Sequence, residues 1–391
     1  MSSYLVTATV ARSATESSGP ALLVASVAVL GSATTASYIV ASLTASAAVA
    51  GPIVGAAIDR AHRPRAGFTA AFAILGLGLL VIALTLAHVP IAVTMVLAVI
   101  AGLGYPALTG AWSAQLPALV PRTSLTRAYG LDAATYSVAA VVAPPAATAL
   151  VAIAPTAPLW LTLILLAAGV ISLRRVPFRP KVRTRASGSM RTDLAAGLGA
   201  MFGRPALRRS TLITTIGFAG QAAIFVAAPV LALDTGNGLG FTGVILGVFA
   251  GGGLATAAWF ARRPVQRPDR GIILSTVVSG AALVAVGLAP TAPLLLAAAF
   301  VMGASEPPLV SAMFQVRVRE SPEHVQAQVF TTAASLRMTA FALATAACGW
   351  LLHLSLAWVI GFGLALHVAS LIVGLALGPV LPHRRHWLRR T

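Results

Sequence analysis

The sequence GLGYPAL at residues 102–108 is matched by GASEPPL at residues 303–309, in the second half of the chain. Both stretches begin with glycine, carry a proline at the fifth position and end with leucine. The correspondence extends outward, because Gly51 and Pro90 match Gly251 and Pro290. Chance similarity between alanine- and glycine-rich segments is the alternative. The pattern predicts a chain that is built from two related halves.

The chain of 391 residues is too apolar for a water-soluble protein. Hydrophobic residues make up 58% of it and charged residues 9%, against about 45–50% and about 25% in soluble domains. A membrane-spanning helix needs about 20 mostly apolar residues, and the apolar stretches here are too long and alternate too little for barrel strands. They predict twelve transmembrane helices at 5–30, 33–58, 67–88, 90–114, 125–151, 156–174, 208–233, 239–261, 271–289, 292–316, 324–353 and 355–378.

The placement of charge decides between a nucleic-acid partner and a membrane. The chain has 27 Lys and Arg against 9 Asp and Glu, a formal charge of +18. If twelve helices alternate, all the basic residues except Arg12 and Arg337 fall on one side of the membrane. Basic loops mark the cytoplasmic side. We therefore predict that both termini are cytoplasmic, that the protein is embedded in the bilayer of the cell membrane, and that it has no nucleic-acid partner.

A repeat of six helices restores the same orientation in the membrane, so the halves are expected to be related by an axis along the membrane normal. The predicted fold class is an all-α membrane protein with twelve transmembrane helices in two pseudo-symmetric six-helix bundles. Residues 1–174 are predicted to form the first bundle and residues 208–391 the second bundle with a basic tail. Residues 175–207 are predicted to be a cytoplasmic linker, with a short surface helix near 192–204.

After the second span the chain reads GAAIDRAHRPR at residues 55–65, which resembles the cytoplasmic loop motif of the major facilitator superfamily. With twelve helices, the six-plus-six repeat and the basic middle loop, the resemblance covers the whole chain. Residues 117–121 (PALVP) with 125–128 (LTRA), and residues 203–209 (GRPALRR), are similar to the macrolide-exporter-like branch of drug efflux proteins. The resemblance implies a secondary transporter of the efflux type.

The loop motif implies a gate between inward- and outward-facing states. Its residues here are Gly51, Gly55, Asp59, Arg60, Arg63 and Arg65. Asp59 can accept hydrogen bonds from a helix N-terminus or pair with a nearby arginine, while the alternative is a solvated charge cluster that only fixes topology. The family's antiporter motif in the fifth helix survives only as small residues with Pro144 and Pro145. The fourth-helix arginine of many drug antiporters is absent.

A charge at mid-membrane costs about 2.5–3.5 kcal/mol, so each one needs a partner, water or a function. Glu306 and Arg337 are expected at similar depth in the tenth and eleventh spans. They are predicted either to form a static ion pair or to serve proton coupling and substrate binding. Arg12 and Glu16 share one face of the first helix, as cavity residues or as an intrahelical pair. Asp132 is a candidate proton or gate residue, or else a partner of Arg127.

Two further sets of residues follow from helical position and residue type. Candidates for lining a cavity are Tyr38, Tyr105, Trp112, Tyr136, Gln221 and Gln315. Helix bends and close helix packing are predicted at Pro144, Pro145, Pro307, Pro308, Gly247 and Gly251. His367, in the last span, is expected to be structural because that helix usually packs outside the cavity.

The sequence carries no P-loop, zinc-protease or nucleophile-elbow motif. We therefore predict no enzymatic activity, no cofactor and no metal site. The leading expectation is a monomeric multidrug or metabolite exporter of a bacterial inner membrane, which moves a small amphipathic or hydrophobic compound by alternating access with proton antiport. The alternatives are uptake or uniport of a specific metabolite, and a non-transporting scaffold or sensor on the same fold.

Overall fold

The computed structural model describes residues 2–60, 64–108, 112, 115–121, 125–178, 198–199, 201–262, 267–321 and 326–377. Regular structure in these ranges is helical throughout, and the twelve predicted helices are confirmed. They are α1 (Ser2–Leu30), α2 (Ala33–Arg60), α3 (Pro64–Thr85), α4 (Ile91–Gly102), α5 (Leu125–Ala149), α6 (Ala157–Leu173), α7 (Pro205–Gly220 and Ala222–Asp234), α8 (Phe241–Arg262), α9 (Pro268–Leu288), α10 (Ala292–Ala304 and Glu306–Glu320), α11 (Gln326–Leu351) and α12 (Leu356–Ala376).

Three helices are interrupted where the sequence predicts continuous spans. The fourth span, predicted to reach residue 114, ends as a regular α-helix at Gly102. The tenth span breaks at Ser305 and the seventh at Gln221. At α4 and α10 a proline follows the break within four residues, and proline removes a backbone donor and clashes with the preceding turn. At each break a backbone N–H bonds three residues back instead of four.

The surface of the bundle is apolar, as a lipid-facing surface requires. Eight of the described helical stretches are long and apolar enough to cross a membrane, and α4 and α6 are shorter apolar helices. Large apolar side chains such as Leu77, Ile164 and Ile372 point outward. A soluble protein rarely exposes so much contiguous apolar surface, so the protein is a multi-pass membrane protein.

The pairing of helices repeats between the two halves. In the first half α1 packs against α2, α5 and α6, while α4 packs against α2 and α3 and α6 against α3. In the second half α7 packs in the same way against α8, α11 and α12, while α10 packs against α8 and α9 and α12 against α9. The two six-helix bundles therefore share one topology, as the sequence repeat predicts.

The repeated glycines explain part of this likeness. Gly102 at the end of α4 lies against the backbone of Leu43 in α2, so closely that a Cβ there would overlap the carbonyl oxygen. Gly303 of α10 lies in the same way against the backbone of Phe249 in α8. Small residues allow such backbone contact between membrane helices. The first glycine of each matched stretch thus serves the same contact in both halves.

The two halves meet where α2 packs along α11 and α5 packs along α8. Gly349 of α11 faces Ser37 of α2, and a Cβ at Gly349 would come within 2.7 Å of the Ser37 side chain. The Thr148 hydroxyl of α5 donates to the Gly240 carbonyl oxygen before α8, at 3.3 Å. These contacts lie at the end of the bundle opposite the basic loops.

Candidate functional site

The first candidate site is built around Glu306 in the second half. Glu306 is the first residue of the second segment of α10, directly after the break at Ser305. Pro307 occupies the next helical position, where its missing N–H costs no hydrogen bond. The sequence thus restarts the helix at this point and leaves a carboxylate in its first turn, where the helix dipole favours negative charge.

Side chains from two other helices hold this carboxylate. Arg337 Nη2 of α11 donates to Glu306 Oε1 at 2.9 Å. Gln221 Nε2, at the break of α7, donates to Glu306 Oε2. The Arg337 guanidinium also lies over the ring of Phe218, 4.3 Å from its centroid. The pairing that the sequence left open is therefore present, and it joins three helices of which two are broken at the site.

The Glu306–Arg337 pair is accessible and incompletely bonded. The side chains of Arg337 and Glu306 keep 13% and 23% of their surface exposed. Arg337 Nε is buried and has no acceptor within the part of the chain that the structure describes. A crevice of about 10 Å³ lies beside the pair, and Ser279 of α9 and His367 of α12 also line it. The site can therefore take up water, a proton or a polar group of a ligand.

The second candidate site is the ion pair of Arg12 and Asp132 in the first half. Arg12 Nη2 of α1 lies 2.9 Å from both carboxylate oxygens of Asp132 in α5. The exposed fraction is 0% for the Arg12 side chain and 6% for that of Asp132. This pair joins α1 to α5 and is closed to solvent.

Other groups also bind this pair. The Tyr4 hydroxyl donates to Asp132 Oδ1 at 2.6 Å, and Arg12 Nη1 donates to the Asp132 carbonyl oxygen and to the Thr135 hydroxyl. The guanidinium lies 3.6 Å from the centroid of the Tyr136 ring. Sequence reasoning missed Tyr4 and Thr135. Their helical spacing from Arg12 and Asp132, two turns and one turn away, is the signal that places them on the same faces.

Glu16 stands apart from both pairs. The intrahelical pair with Arg12 considered from the sequence does not form, because the Arg12 guanidinium turns toward α5. Within the described residues Glu16 makes no hydrogen bond or ion pair, and it is half-buried. The Tyr105 hydroxyl, which donates to the Thr15 carbonyl oxygen at 3.1 Å, holds the broken end of α4 against α1 close to it.

The sequence profile of the Major Facilitator Superfamily matches residues 4–345, nearly the whole chain. The chain belongs to the major facilitator superfamily. A search of the curated proteins gave no match.

Solved structures of other transporters share the major facilitator fold. A POT family transporter in complex with 5-aminolevulinic acid aligns with a TM-score of 0.71 at 14% identity, over 96% of this chain and 94% of that chain. A bacterial homologue of the lysosomal transporter Spinster, in an inward-facing and unoccupied conformation, aligns with 0.70 at 12%, over 96% and 95%. The nucleoside transporter NupG aligns with 0.71 at 15%, over 96% and 97%. At these identities the likeness shows the fold alone.

The gating motif of the superfamily falls mostly outside the described side chains. Gly51, Gly55, Asp59 and Arg60 lie on the helical backbone of α2, but their side chains are not described, and Arg63 lies outside the described residues. Arg65 Nη2 donates to the Val176 carbonyl oxygen at 2.8 Å, which fastens the chain after α6 to α3. The gate itself stays a prediction.

The residues predicted to line a cavity fall into different environments. Gln221 and Tyr136 belong to the two ion-pair sites. Trp112 does not line a cavity, because it is fully buried and stacks on Tyr4, with ring centroids 5.5 Å apart. Gln315 lines an open groove of about 720 Å³ between the last turns of α8 and the second segment of α10, with Phe260 and Phe314. Tyr38 is half-buried on α2.

The predicted packing positions are mostly occupied as expected. Pro144 and Pro145 lie within α5, and Gly247 of α8 packs against the Pro145 ring. Pro307 lines the groove between α8 and α10. The prediction for Gly251 was wrong: a Cβ there would meet nothing within 4 Å in the described part of the chain. The neighbouring Gly252, one residue further around α8, makes the close contact with α10 instead.

Proposed function

We propose that this major facilitator protein is a proton-coupled secondary transporter that exports a small amphipathic or hydrophobic compound by alternating access. The observation that carries the proposal is the Glu306–Arg337–Gln221 cluster, because it lies at the breaks of two helices and remains partly open. Protonation of Glu306 removes the charge that holds Arg337. The relative free energies of two conformations then depend on whether a proton is bound.

The second half is the better place for coupling than the first. A buried charge that is closed to solvent is costly to protonate, since its partner is left uncompensated. Asp132 is in that position, with Arg12 and Tyr4 on its carboxylate. The side chain of Glu306 is more exposed and has solvent access. We therefore assign proton exchange to Glu306 and a structural role to the Arg12–Asp132 pair.

Three features support export of an amphipathic compound. The groove between α8 and α10 is mostly apolar and lies toward the basic ends of these helices. Two close contacts between the halves, Gly349 with Ser37 and Thr148 with Gly240, lie at the opposite end. If the basic loops are cytoplasmic, as the charge distribution favours, a compound enters from the cytoplasm. The resemblance of residues 117–121 and 203–209 to efflux proteins agrees with this direction.

The main alternative is uptake or uniport of a specific metabolite. It is favoured by the 5-aminolevulinic acid that is bound to one structural neighbour and by the likeness to the nucleoside transporter NupG. We expect no catalytic reaction, whether the protein is an exporter or an uptake transporter. A non-transporting scaffold or sensor is the remaining reading, and we propose a monomer as the transporting unit.

Flux through proteoliposomes under an imposed pH gradient tests the proposal. We would follow ethidium as an amphipathic cation, anilinonaphthalene sulfonate as an anion, and 5-aminolevulinic acid as a metabolite. Accumulation that needs the gradient, and that Glu306→Gln abolishes, supports proton-coupled transport. Glu320→Gln is the matched control, because Glu320 lies on the same helix and pairs with its neighbour Arg319 at 2.7 Å. Flux without pH dependence indicates a uniporter, and no flux of any compound indicates a scaffold.

A further inference from the structure

His367 of α12 is not isolated on the outside of the bundle, as its helix led us to expect. Its side chain is buried, and it faces a polar pocket made with α7, α9 and α10. Nδ1 lies 2.8 Å from the Gly363 carbonyl oxygen, one turn earlier on α12. Nε2 lies 3.0 Å from the Ser279 hydroxyl of α9. Both ring nitrogens therefore have a partner.

These two partners fix the tautomer of the neutral ring. A carbonyl oxygen only accepts, so Nδ1 must carry the hydrogen. Nε2 is then an acceptor, and the Ser279 hydroxyl must donate to it. The only hydrogen of the Ser279 hydroxyl is therefore used in the bond to His367, and its lone pairs can accept from a group in the crevice.

Ser279 is the hydroxyl in the crevice whose hydrogen is held by His367. Thr276 and Thr214, which also line it, donate to backbone carbonyl oxygens of their own helices at 2.9 Å and 2.7 Å, and their lone pairs can also accept. The crevice of about 10 Å³ has the size for the centre of one water molecule, and a water there needs two or more polar partners. Ser279, Glu306 and Arg337 all line it, and Arg337 brings a buried Nε without an acceptor in the described ranges.

We propose that one water molecule in this crevice donates to both the Ser279 hydroxyl and the Glu306 carboxylate, and that His367 is the positioning residue which sets its orientation through Ser279. The neutral ring keeps the Ser279 hydrogen pointed away from the crevice. The water must then donate toward Ser279 and, with its second hydrogen, toward Glu306. His367 thus favours the charged form of Glu306 without touching it.

Few charged groups face His367 from the helices packed around it. Glu306 of α10 and Arg337 of α11 line the same crevice. On α7, Arg209 Nε donates to the Gly374 carbonyl oxygen, two turns further along α12. Arg270 lies more than two turns before Ser279 on α9. Arg317 of α10 is buried and lies close enough to Arg337 for their like charges to interact. The charged groups at or next to the crevice in the described part of the chain are therefore Glu306, Arg337 and Arg317.

The proposal rests on the role proposed for Glu306 but can be tested without a substrate. The chain has four glutamates, Glu16, Glu306, Glu320 and Glu323, so the carboxyl carbon of each can be followed by NMR of the full-length protein in bilayers. We expect Ser279→Ala and His367→Asn to move the Glu306 titration midpoint to higher pH by about half a unit or more, because the carboxylate loses a hydrogen-bond donor. His367→Gln, whose amide oxygen can reach the position of Nε2 and accept from Ser279, should restore much of the wild-type midpoint.

Ser370→Ala is the matched control for packing. Ser370 is buried on α12 close to His367 and donates to the Ile213 carbonyl oxygen, outside the crevice. It should leave the Glu306 midpoint in place. Nitrogen NMR of the His367 ring should show the hydrogen on Nδ1. The hydrogen on Nε2, or an unchanged Glu306 midpoint in both Ser279→Ala and His367→Asn, would overturn the proposal. If the unmodified protein shows no proton-coupled flux, that result counts against the proposed transport function and not against this water site.

Discussion

Each half of the molecule contains an arginine–carboxylate pair, and the two pairs differ in how far their side chains are exposed. Arg12 and Asp132 are closed to solvent and share Tyr4, Thr135 and Tyr136 as further partners. Arg337 and Glu306 remain partly exposed. A pair that is closed to solvent holds a structure together, whereas an accessible pair can exchange a proton. We therefore expect the pair in the first half to stabilise the fold and the pair in the second half to exchange a proton.

The difference arises at equivalent places in a shared fold. Tyr105 and Glu306 hold the same position before the proline in the two matched stretches. Tyr105 uses its hydroxyl to hold α4 on α1, while Glu306 meets α7 and α11. Both halves therefore break the helix at this point, but the side chain at the break differs: a tyrosine in the first half and a glutamate in the second.

Breaking the closed pair should have the largest effect on stability. Arg12→Met or Asp132→Asn removes one partner and leaves the other buried without full compensation, at a cost of about 3–5 kcal/mol. We expect a large fall in the melting temperature of the purified protein. The double variant R12M/D132L should recover much of that loss, because two apolar side chains leave no unpaired charge. Equal stability of single and double variants would contradict a buried, mutually dependent pair.

Close packing at the matched glycines should matter equally in both halves. Gly102→Ala and Gly303→Ala each place a methyl group on a backbone carbonyl oxygen of a neighbouring helix. Overpacking of this kind costs about 1–3 kcal/mol, so both variants should unfold at lower temperature by similar amounts. Gly251→Ala is the control, since its Cβ would meet nothing within 4 Å among the residues that the structure describes. A loss in one half only would show that the shared topology hides different packing.

The open pair should show a smaller effect on stability and a larger one on pH dependence. Glu306→Gln keeps the shape of the side chain and its contact with Gln221 but removes the charge that Arg337 meets. Because both side chains are partly exposed, we expect a loss of stability of about 1 kcal/mol, near the upper range for exposed pairs. The melting temperature of the variant, measured from acid to neutral pH, should vary less with pH than that of the unmodified protein. A loss of stability as large as that of Arg12→Met would contradict the distinction between the pairs.

Glu16 should matter least for stability. It makes no hydrogen bond or ion pair in the described part of the chain, so Glu16→Gln should change the free energy of unfolding by no more than about 0.5 kcal/mol. If it faces the substrate pathway, the same variant should reduce binding of an amphipathic cation such as ethidium and spare anilinonaphthalene sulfonate. Fluorescence titration of both probes checks this. Equal losses for the two probes would remove the charge-selective role.

The sequence predicts the fold well because each spanning helix needs a long apolar run and because the loops carry a one-sided charge. The sequence also identifies four site residues, Glu306, Arg337, Arg12 and Asp132, because charged residues inside membrane helices are energetically costly and therefore rare. It allows the pairing of Glu306 with Arg337 but does not predict the partner of Arg12. Arg12 has both Glu16 one turn away and Asp132 on another helix, and only the packing of α1 against α5 decides between them. Gln221 is named from the sequence as a cavity candidate and His367 as structural, but their contacts are not predicted, because these depend on helix breaks and on packing between α7, α9, α10 and α12.

The most direct measurement replaces each pair as a unit and compares flux driven by a pH gradient in proteoliposomes. R12M/D132L removes the closed pair and R337M/E306L removes the open one, and each is normalised to the folded protein incorporated. We predict that R12M/D132L keeps gradient-driven accumulation, while R337M/E306L loses it and still exchanges compound down a gradient. Retained coupling in R337M/E306L together with loss in R12M/D132L would contradict the assignment of proton exchange to the second half.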